Sequence, residues 1–448
     1  MKRMADRPLA RSLDTTDGGR MNVPSIRNFG GTPARVAIVG GGVGALEAML
    51  AIRALARERV SIDLIAPNRE FVYRPLSVLE PFEDMGTPRF DLSEMVVDQG
   101  ARHHVDSATA VDADRGRVLT ASGREVPYDA LVVSVGATGV PAVEGALTFR
   151  GPNDGERLKQ VLLEAERGIV SRIAFVVPPG VIWTLPLYEL ALNTAAYLKR
   201  RTSHKQPSVV LVTPEESPLA LFGPEASEVV QRLLEGGGVE VRTSAYPDRF
   251  RDGRMTLVPH GEIEADRVVT LPRLEGPRMA GLPADEAGFI PVDEHCRVHG
   301  LTDVYAVGDA TSFPIKQGGI TAEQADVAAE AIAFRAGALL TPHPFRPRLR
   351  GLLLTGSEPR FLTADITRGP AIDSEAGVDP LWWPPSKIPG RYMTAYLAER
   401  GRLASVTPPP AGASVPFEFE LDAAISSVCN AEEKLPRYRD QPEDVSAE

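Results

Sequence analysis

The sequence predicts an α/β protein with two Rossmann-like doubly wound domains, the first interrupted by the second, and a C-terminal segment beyond them. Three observations carry this expectation. An apolar run at 35–39 leads into a glycine cluster, a helical stretch at 45–55 and a second apolar run at 60–65. Apolar runs and helical stretches alternate again between residues 173 and 271. A last apolar run, 303–307, ends in Gly308-Asp309 and is followed by a helical stretch from Ala322 to Ala336. Strand, glycine turn, helix and strand make a βαβ unit, and repeated alternation of this kind builds parallel sheets.

Taken in order, residues 1–33 are polar and rich in Gly, Arg and Asp, and read as a disordered tail. Residues 34–150 form the first part of a nucleotide-binding domain. Within it, 108–128 alternate polar and apolar residues around turn signals at 114–116 and Ser122-Gly123, which reads as a small antiparallel sheet. A buried strand at 130–135 ends at Gly136. Residues 151–284 make the second α/β domain, with strands at 173–177, 208–213, 239–243 and 268–271 and helices at 187–198 and 225–234. Residues 285–345 complete the first domain. Residues 346–430 are Pro-rich and less periodic, and contain Leu381-Trp382-Trp383-Pro384-Pro385. That segment reads as a body-packed or dimer-interface element, with a cover over the active site and a membrane contact as alternatives. Residues 431–448 are an acidic tail.

Composition narrows the function classes. The chain is 43% hydrophobic and 24% charged, which is globular. A net charge of −11 argues against a nucleic-acid partner, because phosphate neutralisation needs a basic face. Cys296 and Cys429 are the two cysteines, too few for a four-cysteine iron–sulfur cluster and consistent with a reducing compartment. No signal-like apolar region and no run of roughly 18 apolar residues is evident, so a cytoplasmic protein is expected, with peripheral membrane contact left open.

The chemistry lies in the turns. Val39-Gly40-Gly41-Gly42-Val43-Gly44-Ala45 fits the pattern GxGxxG/A, with Gly40, Gly42 and Ala45 at its three sites. The first glycine makes the tight turn, the second lets the backbone approach a pyrophosphate, and the third small residue lets helix pack on strand. The anion then sits at a helix N-terminus. The acid that usually reads the ribose is replaced by Ala66-Pro67-Asn68, so Asn68 or Glu70 is left for that role.

Together with Ser134-Val135-Gly136-Ala137 and Val304-Tyr305-Ala306-Val307-Gly308-Asp309-Ala310, this fingerprint resembles the two-dinucleotide-binding-domain flavoproteins of the pyridine nucleotide-disulfide oxidoreductase superfamily. The resemblance covers most of 35–340. It implies FAD as cofactor, with Asp309 on the ribityl chain and Gly40, Gly42, Val43, Gly44, Ala45, Asn68, Arg74, Gly136, Gly308, Lys316, Gln317 and Gly318 around it. Lys316-Gln317-Gly318-Gly319-Ile320-Thr321 precedes a helix whose N-terminus would favour negative charge at the N1–C2=O edge of a reduced flavin. Lys316 and Gln317 are the catalytic candidates; a surface lysine and a cap at Thr321 are the structural alternative.

In the second domain the glycine cradle is replaced by Val177-Pro178-Pro179-Gly180-Val181-Ile182-Trp183-Thr184. Prolines donate no N–H. NAD(P)H is therefore not expected as a fast donor. The pattern is similar to sulfide:quinone oxidoreductases and type II NADH dehydrogenases, but cysteines are missing where the sulfide enzymes place them, and persulfide chemistry needs a thiol. The expectation is an FAD-dependent oxidoreductase passing electrons from an unidentified small-molecule donor to a quinone or other acceptor. An NAD(P)H-dependent reductase and a non-catalytic FAD-binding sensor or partner module are the alternatives. Glu189 and Tyr188 sit where a substrate pocket could form. His295 and His299 flank Cys296, but an extended 289–298 would put Cys296 on the opposite face, so no metal site is expected.

Overall fold

Parallel pairing sets the frame. In the computed structural model, which describes residues 32–399 apart from 84–85, 203–205, 259–260 and 367–371, strand β1 (Ala34–Val39) is flanked by β2 (Val60–Ile65) and by Ala130–Val133. Arg102–His104 and Val304–Ala306 complete a five-stranded parallel sheet. The last strand joins after an excursion through the second unit, so the first unit is built from both ends of the described chain. These strands are almost continuously buried, as expected for a sheet covered on both faces.

Helix α1 (Val43–Ala56) follows β1 directly. It packs on helix α3 (Gly318–Arg335), with helix α2 (Leu185–Arg201) lying between them in sequence. The α1–α3 contact is rich in small residues: Ala45 and Ala48, with Ile52, share a core with Ala322, Ala325, Ala328 and Ala329. Small side chains let two helix axes approach closely.

The second unit is a five-stranded parallel sheet in the order Leu147–Thr148, Arg267–Thr270, β3 (Arg172–Val176), β4 (Ser208–Val212), Val239–Arg242. Helix α2 links β3 to β4 and buries Leu187, Leu190, Ala191 and Leu198.

Three expectations need correction. The helix expected from Ala322 begins at Gly318, because the Gln317 side chain accepts a bond from Ile320 N at 2.7 Å and caps it one turn earlier. The segment 289–298 is not one extended run: Cys296 N donates to Asp293 O at 2.9 Å, and Cys296 sits at φ +59°. Part of the C-terminal segment is regular, forming a three-stranded antiparallel sheet (Arg348–Leu353, Arg360–Asp365, Ile372–Gly377) and helix α4 (Met393–Glu399). The sheet packs on the second unit through Leu349, Leu352 and Phe361. The 1–31 part of the N-terminal tail, the acidic tail and Cys429 lie outside the described residues. Among the described residues no helix is long and apolar enough to cross a membrane, and no group of three or more His, Cys, Asp or Glu is placed to hold a metal ion.

Candidate active site

A cavity of about 1160 Å³ runs between the two units and the C-terminal segment. Its walls include Gly40, Gly42, Val43, Gly44, Asn68, Arg74, Gly136, Gly308, Asp309, Lys316, Gln317 and Gly318. The structure thus gathers twelve of the thirteen expected site residues; Ala45 is instead fully buried in the α1–α3 contact. Tyr188 also stays outside the cavity.

The turn after β1 shows why its residues are glycines. Gly40 has φ +127°, and a Cβ there would lie 2.1 Å from Ser134 O. At Gly42 a Cβ would meet no protein atom within 4 Å and would project into open space on the cavity wall. Gly42 caps α1 without any side-chain hydrogen bond, and no acidic residue occupies the first helical turn. The N-terminal N–H groups of α1 are therefore left for an anion in the cavity. Gly44 is held small by Ser134 Oγ and Thr321 Cγ2, which a Cβ would approach to 2.5 and 2.9 Å.

Across the cavity, Val304–Ala306 delivers Asp309. Burial pushes its carboxyl up from the ordinary range, while Lys316 and Arg74 pull it back down. Lys316 Nζ lies 3.7 Å from the Phe289 ring centroid and donates to Thr311 O. Burial lowers its pKa to about 8, against the pull of Asp309 and Asp285. Arg74 donates to Arg150 O at 2.9 Å, which fixes it on the rim. Gln317 is fully committed: besides its cap, Nε2 donates to Arg350 O at 2.9 Å. Asn68 is exposed on the wall, and Glu70 beside it pairs with Arg89 at 3.2 Å.

The second unit and the C-terminal segment supply a buried pair, of which the sequence pointed to Glu189 but not to its partner. Glu189 is completely buried, and its Oε1 accepts from Lys387 Nζ at 2.5 Å and Leu354 N at 2.8 Å. Lys387 also donates to Leu352 O at 2.8 Å. Glu189 Oε2 is buried with no hydrogen-bond partner among the described residues. Both residues line the cavity. Burial raises the Glu189 carboxyl and lowers the Lys387 ammonium, each opposed by the other's charge. Glu189 stands out in sequence as a charge in an apolar helix, but nothing near Lys387 marks it as a partner 198 positions away.

Tyr188 turns into the second unit, where its hydroxyl donates to Glu215 at 2.7 Å. Among the described residues no cysteine lines the cavity; Cys296 is buried in the core of the first unit, where burial pushes its thiol up. Trp382 is buried, edge-on to Phe361 at 5.0 Å, and its indole N–H donates to Ser386 O at 3.1 Å. Trp383 is 44% exposed.

Comparison with known proteins agrees with this arrangement. The pyridine nucleotide-disulphide oxidoreductase family matches residues 34–331. A NADH dehydrogenase-like protein of Mycobacterium tuberculosis is 29% identical over 294 residues, covering 62% of this chain and 73% of that protein. Demethylphylloquinone reductase of Synechocystis is 26% identical, covering 70% and 81%. The crystal structure of sulfide:quinone oxidoreductase from Aquifex aeolicus superposes with a TM-score of 0.70 at 20% identity, covering 77% of this chain and 86% of that one. Paired parallel sheets, a glycine turn opening onto the shared cavity and the matched span together place this chain in the pyridine nucleotide-disulphide oxidoreductase family, as an FAD-dependent oxidoreductase.

Proposed function

We propose that the protein passes electrons through FAD to a quinone-type carbonyl acceptor, with the Glu189–Lys387 pair as the proton source on the cavity wall. The cavity suits the cofactor: Gly42 leaves space for a pyrophosphate at the α1 N-terminus, and Asp309 presents a carboxylate to which no protein hydrogen bond is made among the described residues. Gly40, Gly42, Val43 and Gly44 would hold the pyrophosphate, Asn68 the adenosine ribose, and Asp309 the ribityl hydroxyls. Lys316, Gly318 and Gln317, the last through its helix cap, would hold the N1–C2=O edge. FAD supplies the two-electron redox chemistry when bound.

The observation that carries the acceptor is the unpaired, buried Oε2 of Glu189. A carbonyl that gains an electron pair must also gain protons. Glu189 and Lys387 hold a proton between them in a site screened from water, and present it to the cavity. Relatives named for quinone reduction support the same class. The donor is a small molecule. Nicotinamide is the second reading, drawn from the relatives named for NADH and NAD(P)H.

The test is a half-reaction. Protein reduced chemically without its natural donor is mixed with a water-soluble quinone. Glu189→Gln is expected to slow reoxidation on the order of 10²-fold with FAD content unchanged, the usual contribution of a positioned acid. Reoxidation at the wild-type rate would remove Glu189 from the reaction.

A further inference from the structure

Below the fingerprint turn lies a second carboxyl cluster that the reading above does not use. Glu47 of α1 is fully buried, and it meets Asp326 of α3 within hydrogen-bonding reach. Two carboxyl groups can share such a contact only when one of them carries a proton. Glu47 already accepts from Tyr392 N and Met393 N, each at 2.7 Å, so it has the donors expected of the anion. Asp326 Oδ1 is buried without a partner among the described residues, so that group is the natural holder of the proton.

The two backbone donors belong to the last part of a strap, residues 386–399, that reaches the cavity at its other end. Lys387 meets Glu189, and Ile388 lies where a Cβ on Gly318 would come to 2.9 Å of it. Between these points the chain is closely pinned. Ile388 N donates to Tyr73 OH at 3.0 Å, and Thr394 Oγ1 donates to Ile388 O at 2.6 Å. At Gly390 a Cβ would stand 2.7 Å from Glu47 Oε2, so the strap backbone runs directly over the carboxyl pair.

We propose that Glu47 and Asp326 are positioning residues whose shared proton fastens this strap, and through it sets Lys387 and Ile388 at the cavity wall. The other titratable or charged groups facing the pair are Glu330 on α3 and Arg391 and Tyr392 on the strap. Strands β1 and β2 give this core only apolar side chains, among them Val36, Ile38, Ile62 and Leu64. Arg391 offsets one negative charge; Glu330 adds another. The clasp binds its proton more tightly closed than open. Docking is therefore complete at low pH and is lost as pH rises through the value of the closed pair, where two buried anions would face each other.

The link to Lys387 rests on the role proposed for that residue, whereas the clasp does not, and the experiment separates them. Amide hydrogen exchange of residues 386–399 is followed in the full-length, FAD-bound protein across a pH series, corrected for the intrinsic pH dependence of exchange. Protection in the wild type is expected to fall about tenfold or more as the solution becomes alkaline. Asp326→Asn, which keeps a donor toward Glu47 at every pH, is expected to hold protection constant and to remove the alkaline fall in quinone-dependent reoxidation. Asp326→Ala, which removes the second acid and leaves both strap bonds to Glu47 in place, serves the same purpose should Asp326→Asn not accumulate. Wild-type protection that is flat with pH, or an Asn variant that tracks the wild type, would overturn the clasp. PH-dependent protection with an unchanged reoxidation rate would keep the clasp and remove only its link to Lys387.

Discussion

Two turns in this molecule end equivalent strands, face the same cavity and have opposite chemistry. After β1, Gly40 N donates to Ile65 O at 2.9 Å, and Ala66 N donates to His104 O at 3.1 Å. After β3, Val177 N donates to Val212 O at 2.9 Å, and Thr213 N donates to Arg242 O at 2.9 Å. The frames correspond bond for bond, which pairs Gly40 with Val177, Ala66 with Thr213, and Asn68 with Glu215. The loops then diverge. Residues 41–42 separate Gly40 from Val43 at the start of its helix, whereas 178–184 separate Val177 from Leu185. Asn68 is exposed on the cavity wall; Glu215 is drawn inward by Tyr188, Thr213 and Thr184 at 2.7, 2.7 and 3.2 Å. An identical backbone frame thus leaves one turn open to an anion and fills the other with side chains. The βαβ frame supplies a helix N-terminus in both places, and the loop decides whether a ligand can reach it.

The largest expected effect breaks the open turn. Gly42→Val puts a side chain into space that no protein atom fills, so the chain should fold while losing FAD completely. Purified variant that is colourless, takes up no FAD and keeps its secondary structure is the expected outcome. Retention of the cofactor would mean that the pyrophosphate does not pass Gly42. Gly40→Val is the control on the other side: its Cβ collides with Ser134 O, so misfolding is expected there rather than a folded apoprotein.

A smaller effect concerns the filled turn. NADH and NADPH should give no saturable, micromolar-range flavin reduction in stopped-flow. Pro178 and Pro179 donate no N–H, the loop puts Val181, Ile182 and Trp183 on the cavity wall, and Glu215 is already occupied. A saturable response at micromolar NADH would promote the nicotinamide reading. It would also show that a dinucleotide can bind this frame without its glycines.

These two turns were also the most legible part of the chain, because their meaning lies in residues a few positions apart. Glycines at 40 and 42, and prolines at 178 and 179, declare which N–H groups and how much room remain. The rest was hidden for reasons that are equally physical. Gly351 makes Arg348–Leu353 look broken, yet it is small because a Cβ would come to 2.6 Å of the Phe222 ring. Gly318 and Gly319 look like a loop before a helix, but they form its first turn under the Gln317 cap. Lys387 sits in a Pro-rich stretch with no period to read, and Glu47 looks like a solvent-facing charge in an apolar helix until Tyr392 and Met393 arrive from the far end of the chain. Contacts closed by tertiary folding leave no local pattern.

The smallest effect tests whether Glu215 is a structural acid or a suppressed ribose reader. Tyr188→Phe removes the hydroxyl that donates to Glu215 and that accepts from Leu219 N at 3.3 Å, while Thr213 and Thr184 remain. Losing one bond to a buried carboxylate costs about 1–3 kcal/mol. Melting should therefore fall by several degrees with FAD content unchanged. Burial already raises the Glu215 acid, and Tyr188 is the largest of the bonds holding it down. Without that bond the folded carboxyl binds its proton more tightly still. A group whose folded pKa is raised loses its stabilising contribution as pH rises through that value, so the deficit of the variant should widen from acidic toward neutral pH. Thermal unfolding across that range reads the slope directly. A deficit that shrinks with rising pH would contradict the assignment of Tyr188 as the bond that holds the ionised form. A gain of NADH-dependent reduction in the same variant would show that Glu215 had been held away from a usable nucleotide site, and the two turns would then differ in occupancy rather than in kind.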